Sequence, residues 1–386
     1  MKKICFITTI YTTFSVFLKK FSGFLFKSGE YDISLICDGD SVDKSDLPEF
    51  VHFYPVKMKR GVSLSVFSAI KKIKKICKKQ KFDIVQYSTP NAAFCASIAA
   101  KKAKIPVRLY CQWGIRYTGF MGVKRKIFKL IEKITCRNST FIEAESFGII
   151  DFARSEKLYS AEDSCVIWNG SACGVDLDKF DISFKNQWRK EIRSKYGLSD
   201  DTVVLVFAAR ITRDKGLNEL LTAYFNICEK HDGVKLFILG RNDNVKSIDS
   251  DLWSKAHNSD KIIFTGKVFD VEKYYAASDV FISPSYREGF GIVVIEAESM
   301  GLPVIVTDVP GQIDAIKPNL TGLTCKVKDA VSLENAIESL INSPDMRKDF
   351  GDNAVKYVKD GYDQQKLFGL LKENRDDLIS GVKCRK

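Results

Sequence analysis

The 386 residues are enough for about two domains. Apolar content of 45% and charged content of 28% are ordinary for a globular chain, and no apolar run approaches the ~20 residues that span a bilayer. The formal charge of +12 is lopsided, because residues 1–180 hold 30 Lys and Arg against 17 Asp and Glu and the rest is near neutral. Eleven scattered cysteines, an odd number and never spaced CxxC, argue against a zinc site or a disulfide framework and for a reducing compartment.

The first residues, "MKKICFITTIYTTF", set two lysines before an apolar run, as a signal peptide does. The run is short, holds several Thr and lacks a small-residue cleavage site, so a first strand is expected instead. Similar runs follow at 32–38, 50–56, 83–89, 107–113, 140–146 and 165–170, then at 203–210, 235–240, 261–268, 280–285 and 303–309. Near-continuous Ile, Val and Phe suit strands covered on both faces of a parallel sheet. Helix-length segments separate the runs. The β–α alternation occurs twice, which predicts two Rossmann-like domains.

Two of those segments, "IKKIKKICKKQK" (70–81) and "VKRKIFKLIEKITCR" (123–137), set apolar residues at three- and four-residue spacings among lysines. Both are expected as basic amphipathic helices. Ile70, Ile73, Ile76 and Cys77 share one face, and Ile127, Leu130, Ile131 and Ile134 another. Such faces either pack on the sheet, leaving a solvated lysine rim, or meet an anionic lipid surface. No helix-turn-helix, zinc finger or aromatic RNA-binding motif accompanies the charge, so no nucleic-acid partner is expected. The domain boundary is expected at "GSACGVDLDKF" (170–180), giving domains 1–180 and 181–386, with room for the C-terminal helix to cross back to the first. Segment 184–198 reads as a helix closed by Gly197, and only the terminal "GVKCRK" reads as disordered.

Two motifs carry chemistry. In "AARITRDKGLNELL" (208–221) a strand delivers Arg210 to a loop, Lys215 and Gly216 follow, and a helix begins near Leu217. Two cations beside a helix N-terminus can hold a diphosphate, Arg through two nitrogens and Lys as a mobile charge; they can equally be surface charge. In "REGFGIVVIEA" (287–297), Glu288 and Glu296 bracket Gly289, Phe290, Gly291 and an apolar run at a strand–loop–helix corner. The Gly-Phe-Gly amides would face the same phosphate, since Gly lets a ligand approach the backbone. The carboxylates, roughly 10 Å apart, suit two recognition points on one elongated ligand, Glu296 for a ribose and Glu288 for a hexose. The plainer alternative makes Glu288 a helix N-terminal acid and Glu296 part of a solvated face.

The ordered pair R-x4-K-G (Arg210 to Gly216) and E-x7-E (Glu288 to Glu296) resembles the retaining glycosyltransferases of family 4, which have the α/β GT-B fold of two Rossmann-like domains facing across a cleft. The resemblance covers nearly the whole chain. "TPNAAF" (89–94), "GIRYTG" (114–119) and "NGSACGVDLDKF" are similar to a branch that builds bacterial O-antigen and capsule. By this resemblance the donor is a nucleotide-activated sugar, commonly a UDP-sugar, and it is a substrate, so no cofactor is expected. Arg210 and Lys215 would hold the diphosphate and stabilise the leaving group. Glu288 would meet the sugar and Glu296 the ribose, with Gly216, Gly289, Phe290 and Gly291 lining the donor site and Val268, in "TGKV", offering backbone to the base. The acceptor, a lipid-linked saccharide, would enter from the N-terminal domain of a cytoplasmic enzyme peripherally bound to the inner face of the membrane.

Two departures from the family stand out. The first loop, "TTIYTTFS" (8–15), lacks the usual glycines, and Gln112-Trp113-Gly114 stands where many relatives carry a histidine. Gln112 cannot act as a base, though it and Arg116 could bond acceptor hydroxyls. A front-face reaction, in which the departing phosphate takes the acceptor's proton, tolerates this. "DGD" (38–40) mimics a metal-binding DxD but follows only the second strand, and the same spacing recurs at 176–178 and 249–251, so no metal is expected. The alternatives are a GT-B nucleotide-sugar epimerase, which needs more histidine than the three here, and a non-catalytic nucleotide-sugar-binding partner of a polysaccharide assembly.

Overall fold

A computed structural model describes residues 1–58 and 65–382. Residues 383–386, the end of "GVKCRK", lie outside it. The chain forms two compact units, Met1–Cys173 with Gln365–Lys386, and Gly174–Gln364.

Among the described residues, the first unit holds a seven-stranded sheet in the order β3-β2-β1-β4-β5-β6-β7. Its strands are β1 Lys2–Ile7, β2 Tyr31–Cys37, β3 Val51–Pro55, β4 Ile84–Tyr87, β5 Val107–Gln112, β6 Phe141–Ala144 and β7 Ser164–Cys165. All pairs are parallel, with Ile4 of β1 opposite Ile33 and Ile84. The second unit holds β8 Val203–Ala208, β9 Val234–Leu239, β10 Ile262–Gly266, β11 Val280–Ser283, β12 Val304–Thr307 and β13 Gly322–Cys325, in the order β10-β9-β8-β11-β12-β13. Helices cover both faces of each sheet, which explains why the strands carry apolar residues without alternation: Val204, Leu205, Val206 and Phe207 are all buried. Strand order reverses between β1 and β4 in one sheet and between β8 and β11 in the other. Connections leave those neighbouring strands in opposite directions, and the gap at their C-terminal ends is where open α/β sheets receive ligands.

The units part at Cys173, not at 180. Residues 174–180 pack with the second unit: Val175 donates its amide to Tyr362 at 2.8 Å and accepts from Gln364 at 3.0 Å, and Phe180 is buried in the second core. Helix Gln364–Ile379 packs with the first unit almost throughout. Its Arg375, 1% exposed, is bound by Glu143 of β6 and donates to Gln86 of β4 at 3.0 Å. A guanidinium is tolerated there because a carboxylate and an amide oxygen meet its donors.

Candidate active site

The reversal point of the second sheet gathers both motifs. After β8 the chain makes a short turn, Arg213–Lys215, and enters helix Leu217–Lys230 through Gly216. Gly216 has φ +75°, and a Cβ there would lie 1.9 Å from the Pro284 carbonyl. Only glycine lets this loop press onto the loop that follows β11. The contact is completed by the Tyr286 amide, which donates to the Asp214 carbonyl at 2.9 Å, and by Arg287, 3.2 Å from the Asp214 carboxylate. Burial pushes the Asp214 carboxyl up, but the Thr212 hydroxyl and the charges of Arg287, Lys215 and Arg210 outweigh it and hold it below the ordinary range.

Across this corner Lys215 Nζ donates to Glu288 Oε1 at 2.5 Å, and both side chains are mostly buried. Ser285 Oγ donates to the same oxygen at 2.8 Å. Arg210 sits in the same loop but does not join this pair; it is 53% exposed and lies 3.5 Å from Asp243. Arg241, 2.6 Å from Asp243, with Arg210 assisting, keeps that carboxyl below its usual range.

A buried lattice stands behind Glu288. Gln312, fully buried, donates through Nε2 to the Ser283 carbonyl at 2.8 Å and to its hydroxyl at 2.6 Å. Thr307, at the end of β12, lies 2.7 Å from Gln312 Oε1 and also contacts the Ser285 carbonyl. Gly311, at φ +88°, would place a Cβ 2.4 Å from the Gly289 carbonyl, so its loop lies flat against the backbone of the Glu288–Gly289 turn. The sequence reading missed Thr307 and Gln312. Polar residues just beyond a buried strand were the signal that could have found them, since such groups need partners.

Gly291 (φ +100°) opens helix Ile292–Ser299. The Phe290 ring is 1% exposed and packs on Tyr362 at 5.4 Å, so Phe290 can meet a ligand only through its backbone. Glu296 is half-buried on that helix and its charge reaches Tyr275, whose hydroxyl is raised first by burial and then by Glu296. Val268, just past β10, is half-buried against the second core.

The first unit corrects one expectation. Gln112 is fully buried and both ends of its amide are occupied: it donates to Glu132 at 2.6 Å and accepts from the Tyr159 hydroxyl at 2.6 Å. Tyr110 also donates to Glu132, whose carboxyl burial nevertheless raises. Gln112 therefore anchors a buried network instead of offering an amide to an acceptor. Arg116 lies over the Phe128 ring at 4.7 Å. The feature that marks the β1/β4 reversal is Thr89, a β-branched residue at φ +63° whose hydroxyl lies 2.8 Å from that of Thr9. Such backbone is costly for threonine and persists where surrounding structure enforces it. "DGD" is a surface turn in which Asp38 caps the Asp40 amide and Asp40 pairs with Lys57 at 2.8 Å.

Two parallel α/β units, with a charged pair at the reversal point of the second, put the candidate site where open α/β sheets receive ligands. Residues 189–357 match the family model described as glycosyl transferases group 1, and residues 3–146 match glycosyl transferase 4-like. The chain belongs to the family 4 glycosyltransferases of GT-B fold, in the branch that builds bacterial capsule and O-antigen. It is 31% identical, over 86% of both chains, to the capsular polysaccharide biosynthesis glycosyltransferase CapM of Staphylococcus aureus. It is 25% identical, over 81% of both, to the UDP-Gal:alpha-D-GlcNAc-diphosphoundecaprenol alpha-1,3-galactosyltransferase of Escherichia coli. The structure of Anabaena Alr3699/HepE with UDP and glucose has the same fold, with TM-score 0.79 and 18% identity over 98% of this chain and all of that one.

Proposed function

We propose that the protein transfers a hexose, with retention, from a UDP-sugar to a lipid-linked saccharide. The carrying observation is the Lys215–Glu288 pair, set by two different strands on either side of the reversal point of the second sheet. Lys215 and Arg210 hold the diphosphate and stabilise the charge that develops as it leaves. Glu288 accepts from hexose hydroxyls and Glu296 from the ribose. Gly216 and the Gly289, Phe290 and Gly291 backbone approach the phosphate and sugar, and Val268 meets the base through its backbone. The acceptor hydroxyl adds to the anomeric carbon on the face from which the diphosphate departs. The anomeric C–O bond to phosphate breaks, the new C–O bond forms, and the departing phosphate oxygen takes the hydroxyl proton, so no protein base is needed. Arg116 and the strained Thr89 are the acceptor-side candidates of the first unit. Support for donor, acceptor and linkage comes from the E. coli relative, whose name specifies a UDP-sugar, a diphosphoundecaprenol acceptor and an α-linkage.

The test is UDP release from a panel of UDP-sugars, with and without a polyprenyl-diphosphate saccharide, in buffer with and without EDTA. Acceptor-dependent release that survives chelation is expected, because two side-chain cations take the part a metal plays elsewhere. Release abolished by EDTA and restored by Mn²⁺ would overturn the role given to Arg210 and Lys215.

A further inference from the structure

Arg210, one of the two cations given to the diphosphate, has a carboxylate of its own beside it. The loop after β9 carries "GRNDN" (240–244) past the end of β8. Gly240, at φ +148°, would place a Cβ 1.8 Å from the Ala209 carbonyl, so only glycine lets this loop run flat against the residue before Arg210. Backbone then laces the two loops together. The Ile211 amide donates to the Arg241 carbonyl at 2.9 Å, and the Asn244 amide to the Ile211 carbonyl at 3.4 Å. The Arg213 amide donates to Ser247 Oγ at 3.1 Å. Main chain, not the swing of a long side chain, therefore sets Asp243 next to Arg210.

The Asp243 carboxylate has two guanidinium partners, and they are unequal. Arg241 Nε donates to Oδ1 at 2.6 Å, a short charge-assisted bond. Arg210 Nη1 stands 3.5 Å from Oδ2, at the edge of hydrogen-bond range. The Asp243 side chain is only 16% exposed, whereas that of Arg241 is 67% exposed. A carboxylate so enclosed is costly without a cation, and Arg241 meets that need alone. Arg210 can therefore leave Asp243 without stranding its charge. Asp214, the other acid whose charge reaches Arg210, is committed to the Thr212 hydroxyl at 2.7 Å and to Arg287 at 3.2 Å.

We infer that Asp243 is a positioning residue that competes with the donor diphosphate for Arg210: Arg210 turns to the diphosphate as the donor binds and returns to Asp243 as the nucleoside diphosphate leaves. This rests on the reading of the donor site given above. Without that competition, Arg210 would hold the product diphosphate as firmly as the donor, and equal binding of all states does not speed a transfer. A carboxylate fixed beside Arg210 weakens the hold, and the tight Arg241 bond keeps the exchange cheap.

The test is calorimetric titration of the full chain with UDP. Asp243→Asn keeps the shape of the side chain and removes its charge; it should bind UDP about three- to fivefold more tightly than wild type, the scale of a half-exposed ion pair. Arg210→Ala should weaken UDP binding, and adding Asp243→Asn to it should change little, because the competition runs through Arg210. Arg241→Gln should weaken binding by leaving Arg210 as the sole partner of Asp243, and Arg241→Gln/Asp243→Asn should return to the affinity of Asp243→Asn alone. Unchanged or weaker binding by Asp243→Asn would overturn the inference. So would equal tightening with and without Arg210, which would make Asp243 a distant charge only, or a double variant as weak as Arg241→Gln, which would put Arg241 itself on the phosphates. UDP binding unaffected by Arg210→Ala would overturn the diphosphate assignment itself, and this inference with it, which tells the two failures apart.

Discussion

Lys215 and Glu288 are mostly buried and paired at 2.5 Å, so removing either leaves the other charge without its partner, whereas Arg210 is half exposed and leans only on Asp243. This separates two variants that chemistry alone would treat alike. Lys215→Ala and Arg210→Ala are both expected to lower turnover by about 10²–10³, the effect of losing one preorganised contact to developing charge. Thermal unfolding should drop for Lys215→Ala and stay put for Arg210→Ala. Near-normal turnover in both would remove the diphosphate from this corner. Glu298 poses a different residue-scale problem. It is fully buried on helix Ile292–Ser299, and neither carboxyl oxygen has a hydrogen-bond partner among the described residues. Burial, outweighing the opposing Thr321 hydroxyl, pushes its pKa well above the usual range. The folded protein therefore holds a proton that the unfolded chain releases above about pH 4.3. That contribution to stability is complete below this pH and is lost as pH rises toward the folded pKa. Glu298→Met is expected to stabilise the protein, with a gain over wild type that grows by up to about 1.4 kcal/mol per pH unit above the unfolded pKa. Urea unfolding from pH 4 upward measures this, and a gain that does not change with pH would show that the carboxyl is ionised in the fold.

At the scale of elements, the site depends on the loops that follow β8, β11 and β12. Gln312 ties the last two together through Ser283, and Thr307 bridges Gln312 to Ser285, the residue that holds Glu288. Gln312→Leu leaves buried acceptors unmet, at a cost of about 1–3 kcal/mol. It is also expected to cut kcat about tenfold, since misplacing a reacting group by a fraction of an ångström is expensive. Loss of stability with unchanged kcat would restrict Gln312 to holding the fold. Much of this architecture was legible. The apolar runs locate twelve of the thirteen described strands, and Arg210, Lys215, Glu288 and Glu296 fall at the loops and helix that the motifs indicated. The thirteenth strand, Gly322–Cys325, escaped because "GLTC" is short and opens on a glycine. Helical periodicity placed an apolar stripe on 123–137 but could not say which way it faces. That is decided by a buried Glu132, whose partners Gln112 and Tyr110 come from β5. The misreading of Gln112 has the same root: a lone polar residue at a strand end looks available until the partner helix is in place.

For the whole molecule, composition gave two domains, but the boundary at 180 came from a glycine- and aspartate-rich stretch that proves to belong to the second unit, because Val175 pairs beside Asp363 and Phe180 is core. The uneven charge, 30 cations against 17 acids in residues 1–180, falls almost wholly on the first unit, while the Lys215–Glu288 pair belongs to the other. In the proposed reaction the sugar moves with its anomeric configuration kept, because the acceptor adds on the face from which the phosphate departs. That outcome is measured by the anomeric proton coupling of the saccharide made from a UDP-α-hexose and a polyprenyl-diphosphate acceptor. The account predicts the small coupling of an α-linked product; the large coupling of a β-linked hexose would contradict it.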